Sequence, residues 1–148
     1  MKSLVDVVKE SAGRAAVIAD IVSLIDSEVD SKGGLSGMAI KGGYAVVKKL
    51  QGGKMIPAVV EGMLGEFTQS LEPLHAEYRA NPGSGFGGFL VKNQKRAIDA
   101  LLAVTDGRAR RTSHAILKST YDKLRPMAEK QVADALPGVG RVVDKHCA

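Results

Sequence analysis

MIPAVVEGMLGEFTQSLEPLHAEY, residues 55–78, carries the longest apolar stripe of the chain. Ile56, Val60, Met63, Leu64, Phe67 and Leu71 recur three and four residues apart, the spacing of one face of an α-helix. Pro57 falls where a first-turn proline is tolerated, and Leu74 and Tyr78 extend the stripe across a bend expected at Pro73. The same period recurs outward in both directions. Upstream, Val17, Ile18, Ile21, Val22, Ile25 and Val29 share a face, behind a short first helix signalled by Ser3 with Asp6 three residues later. A third helix is expected over residues 36–50, around Ile40, Val47 and Leu50. Gly42 and Gly43 in its middle cost about 1 kcal/mol each relative to alanine, which suggests close approach of another helix.

Downstream, NPGSGFGG reads as a linker over residues 81–88, followed by a helix bearing Phe89, Leu90, Ala97, Ile98, Leu101 and Leu102. That helix is expected to stop near Asp106 and Gly107. A further helix from about Thr112 is expected to bury Ile116, Leu117, Tyr121 and Leu124. Pro137-Gly138 should separate the last helical segments, 127–136 and 139–146. No alternating, β-branched run bounded by turns is present. The predicted fold is all-α: seven or eight helices in a compact bundle, one domain over residues 1–148.

Self-similarity refines this expectation. Ser36, Lys41 and Tyr44 reappear as Ser113, Lys118 and Tyr121, each 77 residues later. ADIVSLID, ending at Asp26, precedes the first set, and DALLAVTD, ending at Asp106, precedes the second. MIPAVVEGML parallels MAEKQVADAL, and each copy closes on a histidine, His75 or His146. Two similar halves are expected, about 1–80 and about 86–148. Ser36, Lys41, Tyr44, Ser113, Lys118 and Tyr121 are then candidates for the interface between them.

The 148 residues carry a net charge of +5, with 45% hydrophobic and 25% charged residues, a composition that excludes a disordered or collagen-like chain. No apolar run approaches the ~20 residues of a membrane-spanning helix. MKSLVDVVKE lacks a secretory pattern, so a cytoplasmic protein is expected. Cys147, the single cysteine, excludes an internal disulfide and a thiolate zinc cluster, and near the chain end it reads as an exposed thiol. Residues 1–74 hold 8 Lys/Arg against 9 Asp/Glu, a net −1, whereas residues 75–148 hold 13 against 7, a net +6. Most of the excess lies in Lys92, Lys95, Arg96, Arg108, Arg110, Arg111 and Lys118, which suit a phosphate or carboxylate partner.

Catalytic patterns are weaker. GSGFGG contains GxGxxG, but no strand precedes it, so a flexible linker is favoured over a dinucleotide site, with a phosphate at the start of the next helix left open. His75, His114 and His146 have no local metal spacing, and Ser113 and His114, adjacent on a helix, point about 100° apart and cannot pair. No catalytic residue, metal ligand or cofactor is assigned.

The segments KGGLSGMAIKGGYAVVKKL at residues 32–50, LEPLH at 71–75 and ALLAVTDGRARRTS at 100–113 resemble a family of small uncharacterised all-helical proteins from actinobacteria, a domain of unknown function. The resemblance implies a bacterial cytosolic setting and no activity. The functional expectation is a soluble, non-catalytic binding or interaction module whose basic face meets an anionic partner: an acidic protein, a phosphate-containing ligand or non-specific nucleic acid. One alternative is a bundle binding a small or apolar ligand between its repeats, near Tyr44 and Tyr121. Another is an enzyme whose site draws on Lys41, Lys118, His75 and His146 from both halves.

Overall fold

The computed structural model describes residues 1–148 as eight α-helices and one 3-10 turn, without a strand. Ser3 Oγ accepts from the Asp6 N–H and starts α1, Leu4–Val7. The apolar face upstream becomes α2, Ser11–Asp30, and α3 spans Gly34–Gly53. Left-handed backbone at Gln51, Gly52 and Gly53 reverses the chain after Leu50, so the QGGK break is where glycine is needed. The long stripe is α4, Met55–Ala80, which runs through Pro73. The second half follows as α5, Phe86–Lys92; α6, Gln94–Arg111; α7, Ala115–Leu124; a 3-10 turn at Arg125–Met127; and α8, Ala128–Cys147.

Four expectations change. The glycine-rich stretch is non-helical only over residues 81–85, because Phe86 is fully buried and opens α5. Helix α6 continues past Asp106 and Gly107 to Arg111: the Asp106 carboxylate accepts from Tyr121 and Arg125 of the next segment instead of ending its own helix. Helix α7 packs mainly on α3, α6 and the 3-10 turn, none of its residues is buried, and Ile116 is exposed. Helix α8 passes through Pro137 unbroken. An interior proline costs about 3 kcal/mol, which tertiary packing can offset. Here Leu136, Val143 and Cys147 are all buried, and α5 lies against the proline turn, with Gly87 beside the Pro137 carbonyl.

Four of the five long helices form a closed ring. Helix α2 packs on α4, α4 on α6, α6 on α8, and α8 on α2, while neither diagonal pair, α4 with α8 or α2 with α6, is among the contacts that build the bundle. Close approaches set the spacing. A Cβ on Gly138 would overlap Leu24 of α2, and one on Gly140 would overlap the backbone of Gly87 in α5. Helices α1 and α5 pack at this ring against α4 and α8, and α3 lies against α7, with Gly43 facing Thr120 and Leu124, whereas Gly42 meets no neighbouring helix. No helix is long and apolar enough to cross a membrane.

Candidate functional site: an apolar cavity inside the helix ring

A cavity of about 400 Å³ lies between the four ring helices and α1. Of the 28 residues lining it, 22 are hydrophobic, so the wall suits an apolar occupant. Helix α2 contributes Val17, Ile21, Leu24 and Ile25, α4 Met63, Leu64 and Phe67, α6 Leu101 and Leu102, and α8 Val132, Ala135, Val139 and Val142. The few polar groups in this wall are largely engaged within the chain. Thr68 Oγ1 donates to the Gly65 carbonyl at 2.9 Å, Thr105 Oγ1 lies 2.8 Å from the Tyr121 hydroxyl, and His146 Nε2 donates to Asp20 at 2.6 Å. Water in a cavity requires two to four polar partners, and these walls offer few.

Two similar polar clusters brace the ring from outside. Asp26 Oδ1 accepts from the Tyr44 hydroxyl and from Lys48 Nζ at 3.1 Å, joining α2 to α3. Asp106 Oδ1 accepts from the Tyr121 hydroxyl and from Arg125 Nε at 2.8 Å, and Oδ2 from Arg125 Nη2 at 3.1 Å, joining α6 to the end of α7 and the 3-10 turn. The Tyr44 hydrogen bond holds the Asp26 carboxyl below the usual range, and the Arg125 hydrogen bond does the same for Asp106. Burial, reinforced by Asp106, pushes the Tyr121 phenol up to about 12. Sequence comparison found the tyrosines and the aspartates. It missed the cations, although Lys48 and Arg125 each follow the matched tyrosine by four residues.

Both tyrosine clusters lie within a single half of the chain, and the other four interface candidates have less to do. Lys41 and Ser113 are exposed, Lys118 pairs with Asp122 on its own helix at 3.6 Å, and Ser36 stands at a polar pocket beside the cavity. Neither Tyr44 nor Tyr121 lines the cavity, so the apolar space lies deeper than the site expected beside them.

In the basic window, chain carboxylates take four of the seven cations: Lys95 with Asp99 at 3.1 Å, Arg96 with Glu77, Arg111 with Glu66 at 2.9 Å, and Lys118 with Asp122. Lys92, Arg108 and Arg110 have no such partner, and Arg108 lies over Gly62 with its Nε buried and unbonded. At the start of α5 the Asp144 carboxylate accepts from the Phe86 N–H at 3.1 Å, standing where the glycine-rich loop would have offered a phosphate its first amide.

The histidines have different surroundings. His75 is buried in α4, where Arg79 Nη1 donates to its Nδ1 at 2.6 Å and Arg79 Nη2 donates to Glu72. The proton therefore sits on Nε2, which meets no acceptor, and Phe86 packs edge-on at 4.9 Å. Burial and Arg79 lower the His75 pKa. His146 takes Asp20 instead. Cys147 is not the exposed thiol expected. Its carbonyl accepts from the Lys2 N–H at 2.8 Å, tying the chain ends together, and burial of its side chain pushes the thiol up to about 11. No group of three or more His, Cys, Asp or Glu side chains converges to hold a metal ion.

A family model described as a family of unknown function, DUF6918, matches residues 4–147. The chain belongs to that family. The match runs from the first residue of α1 to the last of α8, so the whole cavity wall lies within the DUF6918 domain. No curated protein and no solved structure matches the chain.

Proposed function

We propose that this DUF6918 protein is a non-catalytic binding protein that holds one elongated apolar molecule inside the α2–α4–α6–α8 ring. The carrying observation is the 400 Å³ cavity with its largely hydrophobic wall. An unfilled apolar space leaves its wall without the contacts that a packed core would supply. An apolar guest supplies many of them, at about 0.8 kcal/mol per buried methylene. The size falls within the 300–1,000 Å³ common for small-molecule sites.

Two equivalent halves, about 1–80 and 86–148, would explain why the ring is built this way: α2 and α4 would come from one copy and α6 and α8 from the other, each braced by its own Asp–Tyr–cation cluster. The test is uptake of N-phenyl-1-naphthylamine, an uncharged apolar reporter. Blue-shifted emission saturating at one reporter per chain is expected. Emission unchanged from buffer would sink the reading.

A second reading, an anionic partner on the basic face, is favoured by Lys92, Arg108 and Arg110, the three cations of the window that pair with no carboxylate of the chain. It predicts salt-dependent binding of a polyanion that the Arg108, Arg110 and Arg111 triple alanine variant loses. A loss no larger than that from neutral surface substitutions would dispose of it.

A further inference from the structure

Glu28, Lys32 and Gln131 line the apolar cavity and also a polar pocket of about 360 Å³, so the two spaces meet at these residues. Ser31, Gly33, Ser36, Lys130 and Asp134 complete the polar side. This mouth forms where α2 ends, α3 begins and α8 makes its first turns. Its charges balance: Lys32 and Lys130 stand against Glu28 and Asp134.

Lys32 is only 13% exposed in its side chain, and its Nζ reaches Asp134 at 3.3 Å and Glu28 at 3.5 Å, both long for charge-assisted hydrogen bonds. An ammonium has three donors, so at least one is left for another acceptor. Gln131 has the opposite need. Its Oε1 is buried at the junction and no donor of the chain reaches it. A buried acceptor without a partner is costly to keep, and it is met most simply by a ligand group that donates.

We infer that the ligand is an uncharged single-chain amphiphile whose hydroxyl head group sits in this mouth, donating to Gln131 Oε1 and accepting from Lys32 Nζ, with the hydrocarbon chain running down between the helices. The inference rests on the apolar-ligand reading and adds the chemistry of the head. A carboxylate head would bring a third negative charge beside Glu28 and Asp134 and would offer Gln131 no proton. A quaternary ammonium head also lacks a donor. A hydroxyl supplies both hydrogen bonds and leaves the balanced charges undisturbed. At about 30 Å³ per water-sized unit, which is close to one methylene, the cavity takes roughly a dozen carbons.

The experiment is displacement of N-phenyl-1-naphthylamine from the full-length protein by dodecan-1-ol and by its methyl ether, 1-methoxydodecane, which keeps the chain and the acceptor oxygen and lacks the donor. A site built to bond a hydroxyl rejects the analogue without it. The alcohol should displace the reporter at a concentration at least tenfold lower than the ether, and Gln131→Leu, or Gln131→Met if the leucine variant does not fold, should abolish that preference while still binding the reporter. Equal displacement by the two in the wild type, or a preference that survives loss of the glutamine, would overturn the hydroxyl assignment and leave the apolar cavity standing. Failure of the wild type to take up the reporter at all would overturn both.

Discussion

Adding one methyl group at Gly140 should loosen the bundle more than most single substitutions. A Cβ there would overlap the backbone N and Cα of Gly87 and lie 2.9 Å from the Phe86 carbonyl carbon, and all three are main-chain atoms that cannot rotate aside. Helix α5 must therefore move off α8, carrying Phe86 and Leu90, both completely buried. Overpacking alone costs about 1–3 kcal/mol, and full exposure of each such side chain about 1.5–3 kcal/mol. Partial exposure of the pair brings the expected loss to about 3–5 kcal/mol, or roughly 10 °C in Tm for a chain of this length.

Gly88→Ala is the control. It lies in the same short helix, a Cβ there meets nothing within 4 Å, and alanine should gain up to about 1 kcal/mol of helix propensity. Urea unfolding followed by circular dichroism gives both values. A Gly140→Ala midpoint equal to that of the wild type would refute docking of α5 through the Gly87–Gly140 contact.

Asp106→Asn should cost about 1–2 kcal/mol, since it weakens charged hydrogen bonds from Tyr121 and Arg125 that are partly open to solvent. Because the folded Asp106 carboxyl titrates below its usual 3.8, its contribution is complete above that pH and is lost as pH falls through the folded value. Denaturation curves of wild type and variant should therefore converge on acidification. His75 has a lowered pKa in the fold, so the unfolded chain takes up the proton first. Stability should decline as pH drops from its usual 6.5 toward the folded value, a decline that His75→Phe should lessen; an identical decline in the variant would count against the buried neutral imidazole. Cys147 should react with a disulfide reagent at pH 8 only as fast as the protein opens, and urea should release that block. Immediate full modification of the folded protein would contradict its burial.

The helix set was legible because the period of apolar residues is a local property. The stripe from Ile56 to Leu71 and the Ser3 cap need no partner to be read. What the ends of helices do was harder. Pro137 and Gly107 look like stops in isolation and are overridden by packing of α5 and by hydrogen bonds to Asp106 that come from the next segment. The burial of Cys147 depends on the backbone at Lys2 and on α1, both more than a hundred residues away in sequence.

The cavity was hidden for a related reason. Periodicity says which face of a helix is apolar, and α2 through Val17, Ile21 and Ile25 shows it clearly. It does not say whether opposing faces interdigitate or stand apart, because that distance is set by contacts such as Gly138 with Leu24. The matched Tyr44 and Tyr121, expected beside a ligand, instead lie outside the cavity wall, hydrogen-bonded to Asp26 and Asp106.

The proposed entry of an apolar ligand into the ring is tested most directly by methyl-resolved NMR during titration with N-phenyl-1-naphthylamine. Shifts should concentrate on Ile21, Ile25, Leu102, Val139 and Val142, and Ala135→Phe, which places a ring inside the cavity, should suppress them. Shifts confined instead to the exposed methyls of Leu35, Val46 and Ile116 would place binding on the surface and contradict a ligand held between the helices.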